Sequence, residues 1–267
     1  MAEQTLSNSM IERLFEEKVL VNDNPEYLDR YAASEFRATF AALDLRYMDF
    51  PRLVIILEFA RLIRHHQISA RRVLMLNGGA TGDPELHHLP HDEVEFGDYE
   101  LDPDRFDMHA LDPHRRDYDF VLFSQTLEHL WSPPMALRSL FDVTADGGYV
   151  WTSVPTVNCQ HVLPYNFTTG FTPIGLACLF RQAGFDVVEI GQWGNRKYLA
   201  YLFDIGGWPS FYDLRPGIAL RGKTSQEIRR RIARLSIASV IKDGRRNEFD
   251  TPVQTWILAR KGPGSPS

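Results

Sequence analysis

The chain has 267 residues, 44% of them hydrophobic and 24% charged, a composition that folds and is too apolar for a disordered protein. Its formal charge of -6 argues against a surface that binds nucleic acid through overall positive charge, and no run reaches the roughly 18 apolar residues of a membrane span. The length suits one elaborated α/β domain and is short for two independent cores.

Residues 1–70 read as an N-terminal helical cap. Ile11, Leu14, Phe15 and Val19 recur at helical spacing, and Phe50-Pro51 opens a second run, Leu53 to Ile63. From Arg72 short apolar runs alternate with helical stretches. Strands are predicted at Val73 to Leu76, Val94 to Phe96, Phe120 to Phe123, Tyr149 to Ser153, Val187 to Ile190 and Thr255 to Ala259. Several are apolar on both faces, as strands of a covered parallel sheet must be. Ser132-Pro133 and Thr172-Pro173 mark helix starts, with Asp146-Gly147-Gly148 and Ala183-Gly184 as stops. The expectation is a doubly wound, Rossmann-like sheet over 71–260 with an insertion at 193–250, then a disordered tail at 261–267.

Within the insertion the first half is aromatic-rich, with Trp193, Tyr198, Tyr201, Phe203, Trp208, Phe211 and Tyr212. A helix from about Ser225 to Val240 follows, with Arg229, Arg230 and Arg234 on a solvated face. The segment is expected to cover the site, the alternative being aromatics that simply pack on the N-terminal helices.

The first strand runs into Asn77-Gly78-Gly79-Ala80-Thr81-Gly82, where missing side chains let backbone approach a nucleotide-like ligand. Asp98 closes the second strand, placed to accept hydrogen bonds from ribose hydroxyls. Taken alone, this pattern reads equally as a plain turn or as a dinucleotide fingerprint with Asn77 in place of its first glycine.

A longer register runs from Asp119 to Ser124 through Gln125-Thr126-Leu127-Glu128-His129-Leu130, Ser132-Pro133-Pro134, Asp146-Gly147-Gly148 and Pro155 to Phe171-Thr172-Pro173 and Ala183-Gly184-Phe185. This order of landmarks resembles the class I S-adenosylmethionine-dependent methyltransferases of small-molecule type. The resemblance covers roughly Arg72 to Gly191 plus the last strand. It implies a Rossmann-like methyltransferase fold, S-adenosylmethionine as cofactor, and methyl transfer to oxygen or nitrogen of a small-molecule or sugar acceptor.

Carried onto this sequence, the resemblance places Asn77, Gly78 and Gly79 at the methionine part of the cofactor and Asp98 at the ribose. Asp107 and Met108 would take the adenine, and Ser124 and Gln125 would border the sulfonium. His161, in the loop after Pro155, is the expected base, with His129 the second candidate. Tyr165, Asn166 and Trp193 are the expected acceptor contacts. The chain departs from the family at Met75, Asn77, Thr81 and Asp146, and has little room for a helix between Asp98 and Asp107. Two alternatives follow: a binding protein that keeps the fold without catalysis, and a nicotinamide-dependent oxidoreductase, which leaves Leu127 to His129 and Phe171 to Leu176 unexplained.

No metal site is expected. His87, His88 and His91 and the pair His65-His66 complete no ligand spacing. Cys159 and Cys178 make neither a zinc spacing nor a disulfide framework, and the N-terminus has no signal-peptide pattern, so a cytoplasmic location is expected, with no nucleic-acid or membrane partner.

Overall fold

The computed structural model describes residues 5–22, 50–77, 82–205, 242, 244 and 246–263. All six predicted strands form, β3 ending one residue short of the predicted Phe123 and the rest extended beyond their apolar centres: β1 (Ala70–Leu76), β2 (His91–Gly97), β3 (Tyr118–Leu122), β4 (Thr144–Pro155), β5 (Phe185–Trp193) and β6 (Gln254–Lys261). They make one sheet in the order β2-β1-β3-β4-β6-β5. β2, β1, β3 and β4 are parallel, while β6 runs antiparallel between β4 and β5.

Alternation within the strands builds two cores. Val73, Met75, Phe120, Leu122, Trp151, Trp256 and Leu258 face one side of the sheet, and Leu74, Leu76, Val121, Val150, Ile257 and Ala259 face the other. Both faces are covered, which is why these strands read as nearly continuous apolar runs. On the N-terminal side the chain forms α1 (Asn8–Leu14), a π turn at Phe15–Val19 and α2 (Phe50–His65).

The second helix of the expected cap lies inside the body of the domain. Twelve of the sixteen residues of α2 are buried, and Phe59 meets Trp151 and Phe120 edge-on at 5.1 and 5.9 Å. On the other face sit α4 (Pro133–Val143) and α5 (Pro173–Gln182). Ser132 is the N-cap of α4 with Pro133 at its first position. Thr172 caps α5 by accepting a hydrogen bond from the Gly175 amide at 3.2 Å. Gly184, at φ +102°, takes the left-handed position after α5 that a side chain would strain.

Two boundaries differ from expectation. α4 ends at Val143, ahead of Asp146-Gly147-Gly148, which becomes an irregularity inside β4 with Gly147 at φ +80°. Lys261, expected to open the tail, belongs to β6, and its buried ammonium donates to the carbonyls of Phe141 and Thr144 at the end of α4, both at 2.9 Å. Between β2 and β3 the chain makes only one helical turn, α3 (Pro103–Phe106), as the short spacing predicts.

The connection from β5 to β6 leaves and returns at one place. It begins with α6 (Arg196–Ile205). Gly194 N donates to Asn247 Oδ1 at 3.1 Å, Asn195 Nδ2 to the Arg246 carbonyl at 2.8 Å, and Trp193 Nε1 to the Gly244 carbonyl at 2.8 Å. The expected helix from Ser225 to Val240 and the aromatics Trp208, Phe211 and Tyr212 lie outside the described residues. Among the described residues no helix is long and apolar enough to cross a membrane.

Candidate active site

Strand order reverses between β1 and β3, and a cavity of about 700 Å³ opens there beyond the carboxyl ends of β1, β2 and β3. Such a crevice is where doubly wound sheets bind their ligands, and the volume is in the usual range for a small-molecule site. Its walls come from the residues that follow each strand: Asn77 after β1, Asp98 to Glu100 after β2, and Gln125 and Thr126 after β3.

Asn77 holds the first wall together. Its φ of +58° is a conformation asparagine tolerates, and its amide donates to the Gly97 carbonyl at 2.8 Å. Asp98 Oδ1 accepts from the Glu100 amide at 2.9 Å. Asp107 Oδ1 accepts from the His109 amide at 2.9 Å and lies 2.7 Å from His109 Nδ1. Because the Ser132 amide donates to His109 Nε2 at 3.3 Å, the ring proton sits on Nδ1 and points at Asp107. His109 also stacks on Trp131 at 4.7 Å, so His109, Trp131 and Met108 make an apolar flank beside two carboxylates.

The opposite wall is a loop closed on itself. Residues 156–170 leave β4 and return where the Phe171 amide donates to the Pro155 carbonyl at 2.9 Å. Gly170, at φ +149°, closes it in a place where a Cβ would sit 2.3 Å from the Thr156 carbonyl oxygen. The Phe167 amide donates to the Glu128 carbonyl at 3.0 Å, which seats the loop against the 3₁₀ turn Leu127–His129.

This seating brings together three groups distant in sequence. The rings of His129 and His161 meet edge-on at 4.8 Å, and one ligand atom each from Glu128, His129 and His161 lies within 4.8 Å of the others. His129 Nδ1 lies 2.6 Å from the Tyr165 carbonyl and His161 Nδ1 lies 2.9 Å from the Cys159 carbonyl. A carbonyl only accepts, so each Nδ1 carries a proton and Nε2 is the nitrogen left to offer a lone pair. Glu128 is 1% exposed, neither carboxylate oxygen has a side-chain hydrogen-bond partner among the described residues, and burial, opposed by a smaller effect of its own backbone amide, pushes its carboxyl up to about 7. Burial also lowers the His129 imidazole below its ordinary value, the Tyr165 carbonyl opposing the shift and His161 adding to it.

The methyltransferase-domain family model matches residues 32–215. The chain belongs to that family. Its members are S-adenosylmethionine-dependent methyltransferases, and so is this enzyme. No curated protein matches the chain. Among solved structures, the chain is similar to a S-adenosylmethionine-dependent methyltransferase from Archaeoglobus fulgidus, at 17% identity and a TM-score of 0.42, over 79% of this chain and 94% of that one. It is also similar to Haemonchus contortus phosphoethanolamine N-methyltransferase 2 in complex with phosphomonomethylethanolamine and S-adenosylhomocysteine, at 14% identity and a TM-score of 0.48, over 89% of this chain and 60% of that one.

The cavity of this methyltransferase fits its cofactor. S-adenosylmethionine is cationic and rich in hydrogen-bond donors, with an ammonium, a ribose diol and an adenine amino group. The lining supplies Asp98, Glu100 and Asp107, and no lysine or arginine among the described residues. Oδ2 of both Asp98 and Asp107 is left over for a ligand among the described contacts.

Of the expected cofactor residues, Asn77, Asp98, Asp107, Met108 and Gln125 line the cavity, while Gly78 and Gly79 lie outside the described residues. Ser124 is not in its lining: the hydroxyl donates to Glu85 Oε1 at 3.4 Å, while the next residue, Gln125, turns through φ +54° just past β3. Of the expected acceptor-side residues, His129 and Tyr165 line the cavity and His161 stands beside His129. Asn166 is not in the lining, and its Nδ2 lies 3.5 Å from the Thr168 carbonyl. Trp193 is fully buried in the other core, 5.3 Å from Phe50 and 4.8 Å from Tyr198, so it touches no acceptor. Trp193 and Tyr198, at the start of the expected cover, thus pack on Phe50 of α2, whereas Phe203 is exposed.

Glu128, His109 and Trp131 are site residues that sequence reasoning passed over. Glu128 carried a signal, an acid set between Leu127 and Leu130 where a solvated charge gains nothing. His109 and Trp131 meet across 22 positions, which no local pattern encodes.

Proposed function

We propose that this methyltransferase acts on an oxygen or nitrogen of an uncharged or cationic small molecule, with a hydroxyl-rich compound such as a sugar the favoured class. The observation that supports it is the sign of the cavity, three carboxylates and no cation among its described lining residues. Such a site repels an anionic acceptor, and it suits neither the diphosphate of a nicotinamide dinucleotide.

In this reading Asp98 accepts from the ribose hydroxyls, Asp107 uses Oδ2 for the adenine amino group, and Met108 packs on the ring. Asn77 and Gln125 border the methionine and sulfonium end. Bound there, S-adenosylmethionine supplies a methyl group activated by its positively charged sulfur. The chain's own part is to place the acceptor in line, exclude water and take up the acceptor's polar hydrogen or its equivalent charge. Tyr165 and Phe167, both more than half exposed on the closed loop, meet the acceptor's carbon skeleton. His129 and His161 present Nε2 electron pairs to its reacting group, so the expected role of His161 becomes shared between the two rings.

The test is turnover on a panel of neutral polyols, sugars and amines alongside anionic analogues, with His161→Ala as the probe. The expected outcome is activity confined to the uncharged and cationic compounds, with kcat in the variant lower by about a hundredfold or more and cofactor affinity within about twofold. Preference for anionic acceptors, or full turnover in the variant, contradicts the reading.

A further inference from the structure

Three groups that can each offer an electron pair, one carboxylate and two imidazoles, converge at the acceptor wall. Both oxygens of Glu128 are buried with no side-chain hydrogen-bond partner among the described residues, a state that is costly for a carboxylate unless a cation or a proton meets it. His129 Nε2 stands 4.0 Å from Glu128 Oε1. Each imidazole is held by its Nδ1 on a backbone carbonyl, the outer-shell arrangement that orients metal-ligating histidines and fixes the nitrogen they offer.

We propose that Glu128, His129 and His161 form a binding site for one divalent transition-metal ion, Zn²⁺ being the best match to two imidazoles and one carboxylate. Hard ions such as Mg²⁺ and Ca²⁺ take oxygen ligands, whereas a His₂Glu set with an open fourth position is a recurrent catalytic zinc site. Ligand atoms around tetrahedral zinc lie about 3.4 Å apart, so the present spacing of up to 4.8 Å closes by an ångström or so. His129 also lines the cavity, so the open position of the ion faces the acceptor. With the ion bound, the two Nε2 pairs serve as its ligands and the ion, in their place, holds the reacting oxygen or nitrogen. That last step rests on the proposed acceptor reading. The metal site itself does not.

The experiment is calorimetric titration of the chelator-stripped full chain with Zn²⁺, checked by elemental analysis after dialysis, and repeated with Mg²⁺. His161→Ala and Glu128→Gln are run in parallel, with circular dichroism to confirm folding and Cys159→Ser to test the nearby thiol. The expected result is one Zn²⁺ per chain, affinity at least about a hundredfold weaker in both site variants, and no change with Cys159→Ser. No stoichiometric zinc, retention by a folded His161→Ala chain, or a preference for Mg²⁺ overturns the proposal. Retention by His161→Ala would assign the zinc to another group, such as His87, His88 and His91. S-adenosylmethionine binding is measured on the stripped protein, so that loss of the methyltransferase reading is distinguishable from loss of the metal site.

Discussion

Glu128 is buried with no countercharge bonded to it among the described residues, which makes the stability of the metal-free chain depend on pH. Its carboxyl is raised from the ordinary 4.5 to about 7 by burial, so the folded chain binds a proton more tightly than the unfolded one. Stability from this group is therefore complete below pH 4.5 and is lost as the pH rises through about 7. Glu128→Gln keeps the shape and removes the charge. In the presence of a chelator it should match the wild type at pH 4.5 and exceed it by up to about 3 kcal/mol at pH 8, read by urea unfolding at both pH values. A variant less stable than wild type at pH 8 would mean that a partner for the carboxylate exists. The residues that make this site were only partly legible in the sequence. Asp98, Asp107, Met108, His129 and Tyr165 stand at positions set by strand ends and a known register. Trp193 was misplaced because an aromatic residue needs burial or a ligand, and only the fold shows that α2 supplies the burial.

At the scale of elements, the six strands were readable because their centres are apolar on both faces. Their ends were not, since the margins of the sheet are polar: His91 and Glu93 pair with β1 and are still exposed. The element on which the proposed chemistry depends is the closed loop 156–170, which carries His161 and Tyr165 and has no periodicity to reveal its shape. Gly170→Ala tests it. An alanine there adopts an unfavourable φ and meets the Thr156 carbonyl, so the variant should lose about 2 kcal/mol of stability, seen as a lower melting temperature, and turn over poorly. Gly147→Ala is the control. It also stands at positive φ, but its nearest contact is the Arg260 guanidinium at 3.4 Å, remote from the cavity, so it should lose stability and keep its activity. Equal turnover in both variants would remove the loop from the acceptor site.

For the whole molecule, two walls of one cavity face each other: a carboxylate-rich one after β1 and β2, proposed to take the cationic cofactor, and the loop that carries His161 and Tyr165, proposed to take the acceptor. The doubly wound class was legible because helices and strands alternate. The way α2 enters the core was not, because a helix buried nearly all round carries no amphipathic signature of where it packs. The most direct measurement is calorimetric titration of the purified chain with S-adenosylmethionine, for the wild type and for Asp98→Ala. The account predicts one binding event per chain, weakened about tenfold or more in the variant, since a lost charge-assisted hydrogen bond typically costs roughly 1.5–3 kcal/mol. No binding by the wild type, or equal affinity in a folded Asp98→Ala chain, would contradict it.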